Sequence, residues 1–181
     1  MKKVARFEKV SKENYDKIIS KLSQEGRLIR YSDGRLNFVD YDNITLPHRK
    51  TEGSAGYDFY ITEDINLNPG EDIVIPTFIR CYITPGWDLG IYPRSGLGFK
   101  YRLRLANTVG IIDSDYYFTE SDGMDNEGHI MVKIVNEGNS KIELKIGDRF
   151  CQGIFSEYGI TIDDENVGKE VRSGGLGSTS L

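Results

Sequence analysis

Downstream of residue 46 the apolar positions come in short alternating runs cut by Gly, Pro and Asn. Segments 57–61, 72–76, 78–83, 87–92, 130–135 and 149–155 are each of strand length and carry β-branched and aromatic side chains. Asn68-Pro69-Gly70, Pro85-Gly86, Glu137-Gly138 and Ile146-Gly147-Asp148 supply the turns between runs, because Gly and Asn tolerate positive φ and Pro pre-sets a turn angle. Strand-sized runs punctuated about every ten to fifteen residues predict an all-β sandwich or jelly roll.

The first 45 residues read differently. Tyr15, Ile18, Ile19 and Leu22 fall at i, i+3, i+4 and i+7, so they share one face of a short amphipathic helix that Ser11 caps and Gly26 stops. That stripe is expected to dock on the body of the protein or on a neighbouring subunit. Asp33-Gly34 predicts a hairpin within 27–41. The expected organisation is an N-terminal extension over 1–45, a β domain over 46–168 and a flexible arm over 169–181. The arm is assigned because Ser173-Gly174-Gly175-Leu176-Gly177-Ser178 offers too little apolar surface to fold alone.

Composition narrows the classes. Hydrophobic residues make up 38% and charged residues 28% of 181, ordinary for a soluble globular chain. There is no long apolar run, and Met1-Lys2-Lys3-Val4-Ala5-Arg6 leads into no signal-like segment, so a cytoplasmic protein without a membrane association is expected. Cys81 and Cys151 sit in apolar runs and read as buried free thiols. With His48 and His129 the only histidines, no spacing suits zinc. A net charge of −5 disfavours a nucleic-acid groove, so no direct nucleic-acid binding is expected. A small phosphorylated ligand is still possible, since a few arginines, backbone N–H groups and Mg²⁺ can hold it against the global sign.

Candidate chemistry concentrates in five stretches. Gly110-Ile111-Ile112-Asp113-Ser114-Asp115-Tyr116 sets a carboxylate on an apolar shoulder, where partial desolvation raises basicity, with a ring close enough along a hairpin to wall off a flat ligand. Read alone, an Asp-Ser-Asp stretch is more often a solvated hairpin turn than a catalytic base. Pro93-Arg94-Ser95-Gly96-Leu97-Gly98 combines a guanidinium, a hydroxyl and glycines that let a backbone approach an anion, without being a Walker loop; a plain turn is the rival reading. In Ala55-Gly56-Tyr57-Asp58 the carboxylate either steadies a turn or holds Mg²⁺ through water. In Gly147-Asp148-Arg149-Phe150-Cys151-Gln152, Asp148 and Arg149 read as a structural ion pair. Gln152 is an amide on an otherwise apolar strand, for which a phosphate would be a fitting partner. Arg172, in the Gly-rich arm, can close over a polyphosphate, the alternative being a tail without a task.

In that order along the chain, Ala-Gly-Tyr-Asp, Pro-Arg-Ser-Gly-Leu-Gly, Asn-x-Val-Gly-Ile-Ile-Asp-Ser-Asp-Tyr, Gly-Asp-Arg-x-x-Gln and Arg-x-Gly-Gly-x-Gly-Ser-Thr resemble the five motifs of the trimeric dUTP pyrophosphatases (dUTPases). The likeness runs from about Leu46 to the C-terminus. It implies a dUTPase-like β jelly roll of the β-clip type, a homotrimer with three shared active sites, and Mg²⁺-dependent hydrolysis of dUTP to dUMP and pyrophosphate. Position by position it implies that Asp113 is the base that deprotonates the attacking water and that Tyr116 packs on the deoxyribose. The backbone around Asn107, Gly110, Ile111, Ile112 and Met131 would read uracil. Arg94, Ser95, Gly96 and Gln152 correspond to phosphate ligands and Asp58 to the residue holding Mg²⁺ through water. Arg172, Leu176, Gly177 and Ser178 correspond to the arm that closes on the nucleotide.

Three features depart from the family pattern. Leu176 stands where the arm usually has an aromatic, and Arg172 lies closer to the paired glycines than in many members. Residues 117–127, from Tyr117 through Glu127, insert an acidic loop beside the expected site, a candidate hairpin tip, lid or contact surface for a regulatory protein. The third is the N-terminal extension. The nearest alternative is a dCTP deaminase of related fold, which resembles the same Ile-Asp turn and Gly-His-Ile. Lys133 occupies the position of its catalytic glutamate, and an ammonium cannot replace that carboxylate as a proton shuttle. A phage-type dUTPase acting mainly through a regulatory partner is the other alternative, compatible with catalysis.

Overall fold

The structure, a computed structural model, describes residues 1–117 and 126–164. Arg172, Leu176, Gly177 and Ser178 of the expected arm, and most of the 117–127 insertion, lie outside the described residues.

Within them the order is β1 (Ala5–Lys9), α1 (Lys12–Gln24), β2 (His48–Arg49), β3 (Tyr57–Tyr60), β4 (Ile65–Leu67), β5 (Asp72–Pro76), β6 (Ile79–Ile83), β7 (Trp87–Pro93), α2 (Ser95–Tyr101), β8 (Leu103–Leu105), β9 (Gly110–Ile112), β10 (Met131–Asn136), β11 (Ile142–Leu144) and β12 (Arg149–Glu157). All pairings are antiparallel, and β3–β12, β4–β11 and β5–β10 are nested one inside the next. That nesting is a long hairpin folded over on itself, so the protein is an all-β jelly roll with short helices. The largest sheet runs β2-β3-β12-β7-β9, and β5-β10-β8 forms the second layer.

Alternation explains the core. Val132 and Ile134 of β10 are buried while Lys133 between them is exposed, and β4, β8 and β11 each place their outer two residues inward. Phe59, Ile75, Phe78, Leu89, Ile91, Ile134 and Phe150 form the centre. Cys81 and Cys151 are free, buried thiols, as expected. Burial pushes Cys81 up to about 12 and Cys151 well above the ordinary thiol value.

The first 45 residues pack on this body. Ser11 caps α1, its Oγ accepting the Asn14 N–H at 3.0 Å, and Tyr15 and Leu22 of the apolar stripe are buried. The Tyr15 hydroxyl donates to the Val39 carbonyl at 2.8 Å. β1 pairs with β6, and Phe7 lies against Tyr57, Phe59 and Phe155. The Asp33-Gly34 turn closes a minimal hairpin with one bridge, Arg30 to Leu36.

Candidate active site

Three groups of expected site residues can be located from the strands upward. The first lines a cleft of ≈ 330 Å³ between β9, the end of β8 and the β5–β10 pair. Asn107, Gly110, Ile111, Ile112 and Met131 all border it, together with Val74, Ile91 and Lys133. The expected hairpin here is corrected: β8 pairs with β10 whereas β9 pairs with β7, so the chain crosses from one sheet to the other instead of turning back on itself. Thr108 makes that crossing with φ of 65°, and the Val109 N–H closes a tight turn onto the Asn107 carbonyl at 2.7 Å. The cleft is apolar, with Ile111 56% exposed on its rim.

The second group sits across β2, β3, β12 and β7. The register aligns His48 with Asp58, Asp58 with Gln152 and Gln152 with Tyr92, so these side chains share one face of the sheet. Asp58, 8% exposed, is held by two guanidiniums: Arg94 Nε at 3.2 Å from Oδ1 and Arg149 Nη1 at 3.0 Å from Oδ2. The expected Asp148–Arg149 pair is therefore corrected. Arg149 reaches across to Asp58, and Asp148 instead accepts the Lys145 N–H at 2.8 Å to close its own turn. Gly56 leaves room for the Gln152 amide oxygen, which a Cβ there would push aside. The Pro93–Gly98 stretch, expected as a loop, is the start of α2, with Arg94 as its N-cap and Ser95 and Gly96 exposed in the first turn, where backbone N–H groups lack intrahelical partners. One carboxylate against two arginines leaves this face cationic. Arg149 is the residue that reading the sequence missed here, since only the strand register brings it to Asp58.

The third group is Asp113 and Tyr116. Asp113 follows β9 and is half-buried, and its carbonyl accepts the Tyr116 N–H at 3.1 Å to form a single 3₁₀ turn. Tyr116 is 7% exposed and donates its hydroxyl to the His129 carbonyl at 3.0 Å. His129 accepts the Phe78 N–H on Nε2 at 2.9 Å and stacks on Phe78, so its proton is on Nδ1; burial pushes the imidazole down to about 4 and keeps it neutral. Gly128 permits this packing, since its φ is 79° and a Cβ would strike the Tyr116 carbonyl. The next residue, Tyr117, donates to Glu8 at 2.7 Å, and Glu127 accepts the Ser11 N–H at 2.8 Å and pairs with Arg80 at 3.4 Å, so both ends of the insertion are tied to the β1–α1 junction.

The first and third groups adjoin; the second does not. Ile112 pairs with Leu89, which places Asp113 beside Asp88, whose carboxyl is raised by burial and by the Asp113 charge. Arg94 lies beyond the other end of β7. Six residues of extended chain at about 3.3 Å each separate the two by about 20 Å.

Among the described residues no three His, Cys, Asp or Glu side chains form a metal cluster, and no helix is long and apolar enough to cross a membrane. Asp58 still suits Mg²⁺ of the kind held mainly by substrate oxygens and water, which asks for only one or two protein carboxylates.

A family model described as dUTPase matches residues 42–180. The deoxyuridine 5'-triphosphate nucleotidohydrolase of Lactococcus lactis subsp. lactis is 41% identical over 136 residues, covering 75% of this chain and 88% of the relative. That of Hahella chejuensis is 35% identical over 162 residues, covering 86% and 97%. The crystal structure of the dUTPase from Streptococcus mutans superposes with a TM-score of 0.58 at 31% identity, over 74% of this chain and 97% of that one. A Staphylococcus bacteriophage 80alpha dUTPase superposes with a TM-score of 0.59 over 97% of this chain and 100% of that one; at 17% identity this is a likeness of fold.

Proposed function

The chain belongs to the dUTPase family and is a dUTP diphosphatase, converting dUTP to dUMP and pyrophosphate; from that premise we propose that each active site is built from more than one copy of the chain, within a homotrimer acting in the cytoplasm. The observation that supports this is the register of β7, which sets Asp113 and the Arg94–Asp58–Gln152 face about 20 Å apart. The base must act at the phosphorus that the phosphate ligands hold, so one chain alone does not bring the two together.

On this reading, residues 46–168 form the catalytic unit, with 1–45 as an extension and 169–181 as the arm. The cleft at Asn107, Gly110, Ile111, Ile112 and Met131 takes the uracil, reading it by backbone groups, and Tyr116 supports the sugar from beneath. Asp113 accepts the proton of the attacking water as the oxygen bonds to phosphorus and pyrophosphate leaves in line. A second copy supplies Arg94, Ser95, Gly96 and Gln152 to the phosphates, with Arg149 holding the Asp58 side chain in place. Mg²⁺, held by the triphosphate and through water by Asp58, would neutralise charge on the phosphates and leaving group. Arg172, Leu176, Gly177 and Ser178 would close over the bound nucleotide. A regulatory protein partner at 117–127 would have to act through residues 118–125, because Tyr117 and Glu127 are engaged within the chain.

Subunit complementation tests the shared site. Asp113→Asn and Arg94→Ala chains are each expected to be inactive, yet unfolded together and refolded as mixed oligomers they regain activity. With random mixing, about one half times one half, or about a quarter, of interfaces join an intact Asp113 to an intact Arg94. Zero recovery, with mixed oligomers demonstrated by mass, would mean that each site is built within one chain.

A further inference from the structure

We propose that Glu8, Arg80 and Tyr117 are positioning residues for the turn that carries Asp113, so that β1, in the N-terminal extension, takes part in setting the base. This rests on the assignment of Asp113 as the base and extends it to residues outside the site.

The seat for Tyr117 follows from the pairing of β1 with β6. The register sets Arg6 opposite Tyr82 and Glu8 opposite Arg80, while Phe7 and Cys81, paired between them, pack into the core. By alternation Arg6, Glu8, Arg80 and Tyr82 share the outer face of this two-stranded ribbon. Tyr117 lies on that face. Its hydroxyl donates to Glu8 Oε2 at 2.7 Å, its ring centroid is 4.8 Å from the Arg80 guanidinium carbon, and it meets the Tyr82 ring edge-on with centroids 5.8 Å apart.

The acceptor is itself fixed. Arg80 holds the same Glu8 oxygen through Nη2 at 3.0 Å and Nε at 3.1 Å, and Arg6 Nε donates to the other oxygen at 2.6 Å. The Glu8 and Arg80 side chains are only 25% and 23% exposed, so this pair is screened less than one on the open surface. Arg80 also reaches Glu127 through Nη1 at 3.4 Å. One guanidinium thus joins both ends of the 117–127 insertion to β1, linking two features that depart from the family pattern.

Tyr117 directly follows the 3₁₀ turn Ser114–Tyr116, whose N-cap is Asp113. Adjacent residues are gripped by different elements: Tyr116 by the His129 carbonyl, Tyr117 by β1 and β6. One anchor would leave the turn free to pivot, whereas two fix its orientation, and the Tyr116 N–H to Asp113 carbonyl bond carries that orientation to the base. Glu8, Arg80 and Tyr117 border neither the base cleft nor the contacts of Asp58 with Arg94 and Arg149. Their loss should therefore misplace the base without weakening nucleotide binding, and a shift of about 1 Å can cost on the order of a hundredfold in rate.

Full-length Tyr117→Phe, Glu8→Ala, Glu8→Gln and the Tyr117→Phe/Glu8→Ala double variant test this with dUTP and Mg²⁺, rates being expressed per site titrated with α,β-imido-dUTP. Tyr117→Phe and Glu8→Ala should each lower kcat about tenfold with KM within about twofold. The double variant should be no slower than Glu8→Ala, because the hydroxyl and its acceptor act as one unit. Glu8→Gln keeps an acceptor for that hydroxyl and should recover to within about threefold of wild type. A role in stability alone would lower Tm and the number of titratable sites but leave kcat per site unchanged, and that result would overturn the proposal. So would a rise in KM at constant kcat, losses that multiply in the double variant, or Glu8→Gln as slow as Glu8→Ala. Failure of the active-site reading shows separately, as Asp113→Asn retaining wild-type turnover.

Discussion

Two buried groups, His129 and Glu63, pull the pH dependence of stability in opposite directions over nearly the same range. His129 is 2% exposed and accepts the Phe78 N–H, and burial pushes its pKa down to about 4. The unfolded chain takes up that proton near pH 6.5, so between about 6.5 and 4 the unfolded state binds more protons and stability falls as the pH falls. The interval from about 6.5 to about 4, at about 1.36 kcal/mol per pH unit, amounts to about 3 kcal/mol. Glu63 behaves oppositely. Burial pushes it up to about 7 despite Arg27, so its contribution is complete below about 4.5 and is lost as the pH rises towards 7. A wild-type melting curve alone therefore hides both effects, and the difference from a variant reveals each. His129→Gln keeps a neutral acceptor near Phe78 but loses the stacked ring, so it should be less stable than wild type at pH 7. That gap should shrink by about 3 kcal/mol by pH 4, or about 6–12 °C in Tm for a chain of this size. With Glu63→Gln the gap should widen as the pH falls. Circular dichroism melts from pH 4 to 8, at fixed salt and protein concentration, measure both. A wild-type to His129→Gln gap that stays constant with pH would refute the buried neutral acceptor.

The thiols and one glycine give further checks. With both pKa values raised by burial, Cys81 and Cys151 should be inert to a thiol-specific reagent at pH 8 in the native protein, and both should react at once in guanidinium; rapid native labelling would contradict the packing. Gly128→Ala forces a Cβ against the Tyr116 carbonyl at a φ of 79°, and should cost roughly 1–3 kcal/mol and displace the turn carrying Asp113. Its kcat should drop by at least about tenfold with a smaller change in KM, whereas wild-type kinetics would show that the turn is not held from this side.

Long alternating runs were legible because period two and turn chemistry repeat the same message: the runs at 57–61, 72–76, 78–83, 87–92, 130–135 and 149–155 all appear as strands. β4, β8 and β11 were not, since three residues are too few to display a period and only pairing with β11, β10 and β4 defines them. α2 was hidden for another reason. Gly96 and Gly98 are poor helix formers, so Ser95–Tyr101 is helical against local propensity. The residue types of the candidate site were legible as motifs, but their partners were not, because Asp58 meets Arg149 only through the register of β3 on β12.

Sequence proximity also misleads about the site itself. Arg94 and Asp113 belong to successive motifs, which invites placing them side by side, yet the chain between them runs through α2, β8 and the crossing between sheets before β9 returns along β7. Because β9 is antiparallel to β7, each step from Gly110 towards Asp113 carries the chain away from Arg94. Moving Asp113 toward Arg94 and Asp58 of its own chain would require slipping β9 along β7. A slip of one residue would turn Gly110 and Ile112 to the opposite face and destroy the cleft they line. The register that builds the cleft thus also keeps Asp113 away from Arg94, Asp58 and Gln152 of the same chain, and the proposed sharing of each site with a second copy is the simplest geometry that satisfies both.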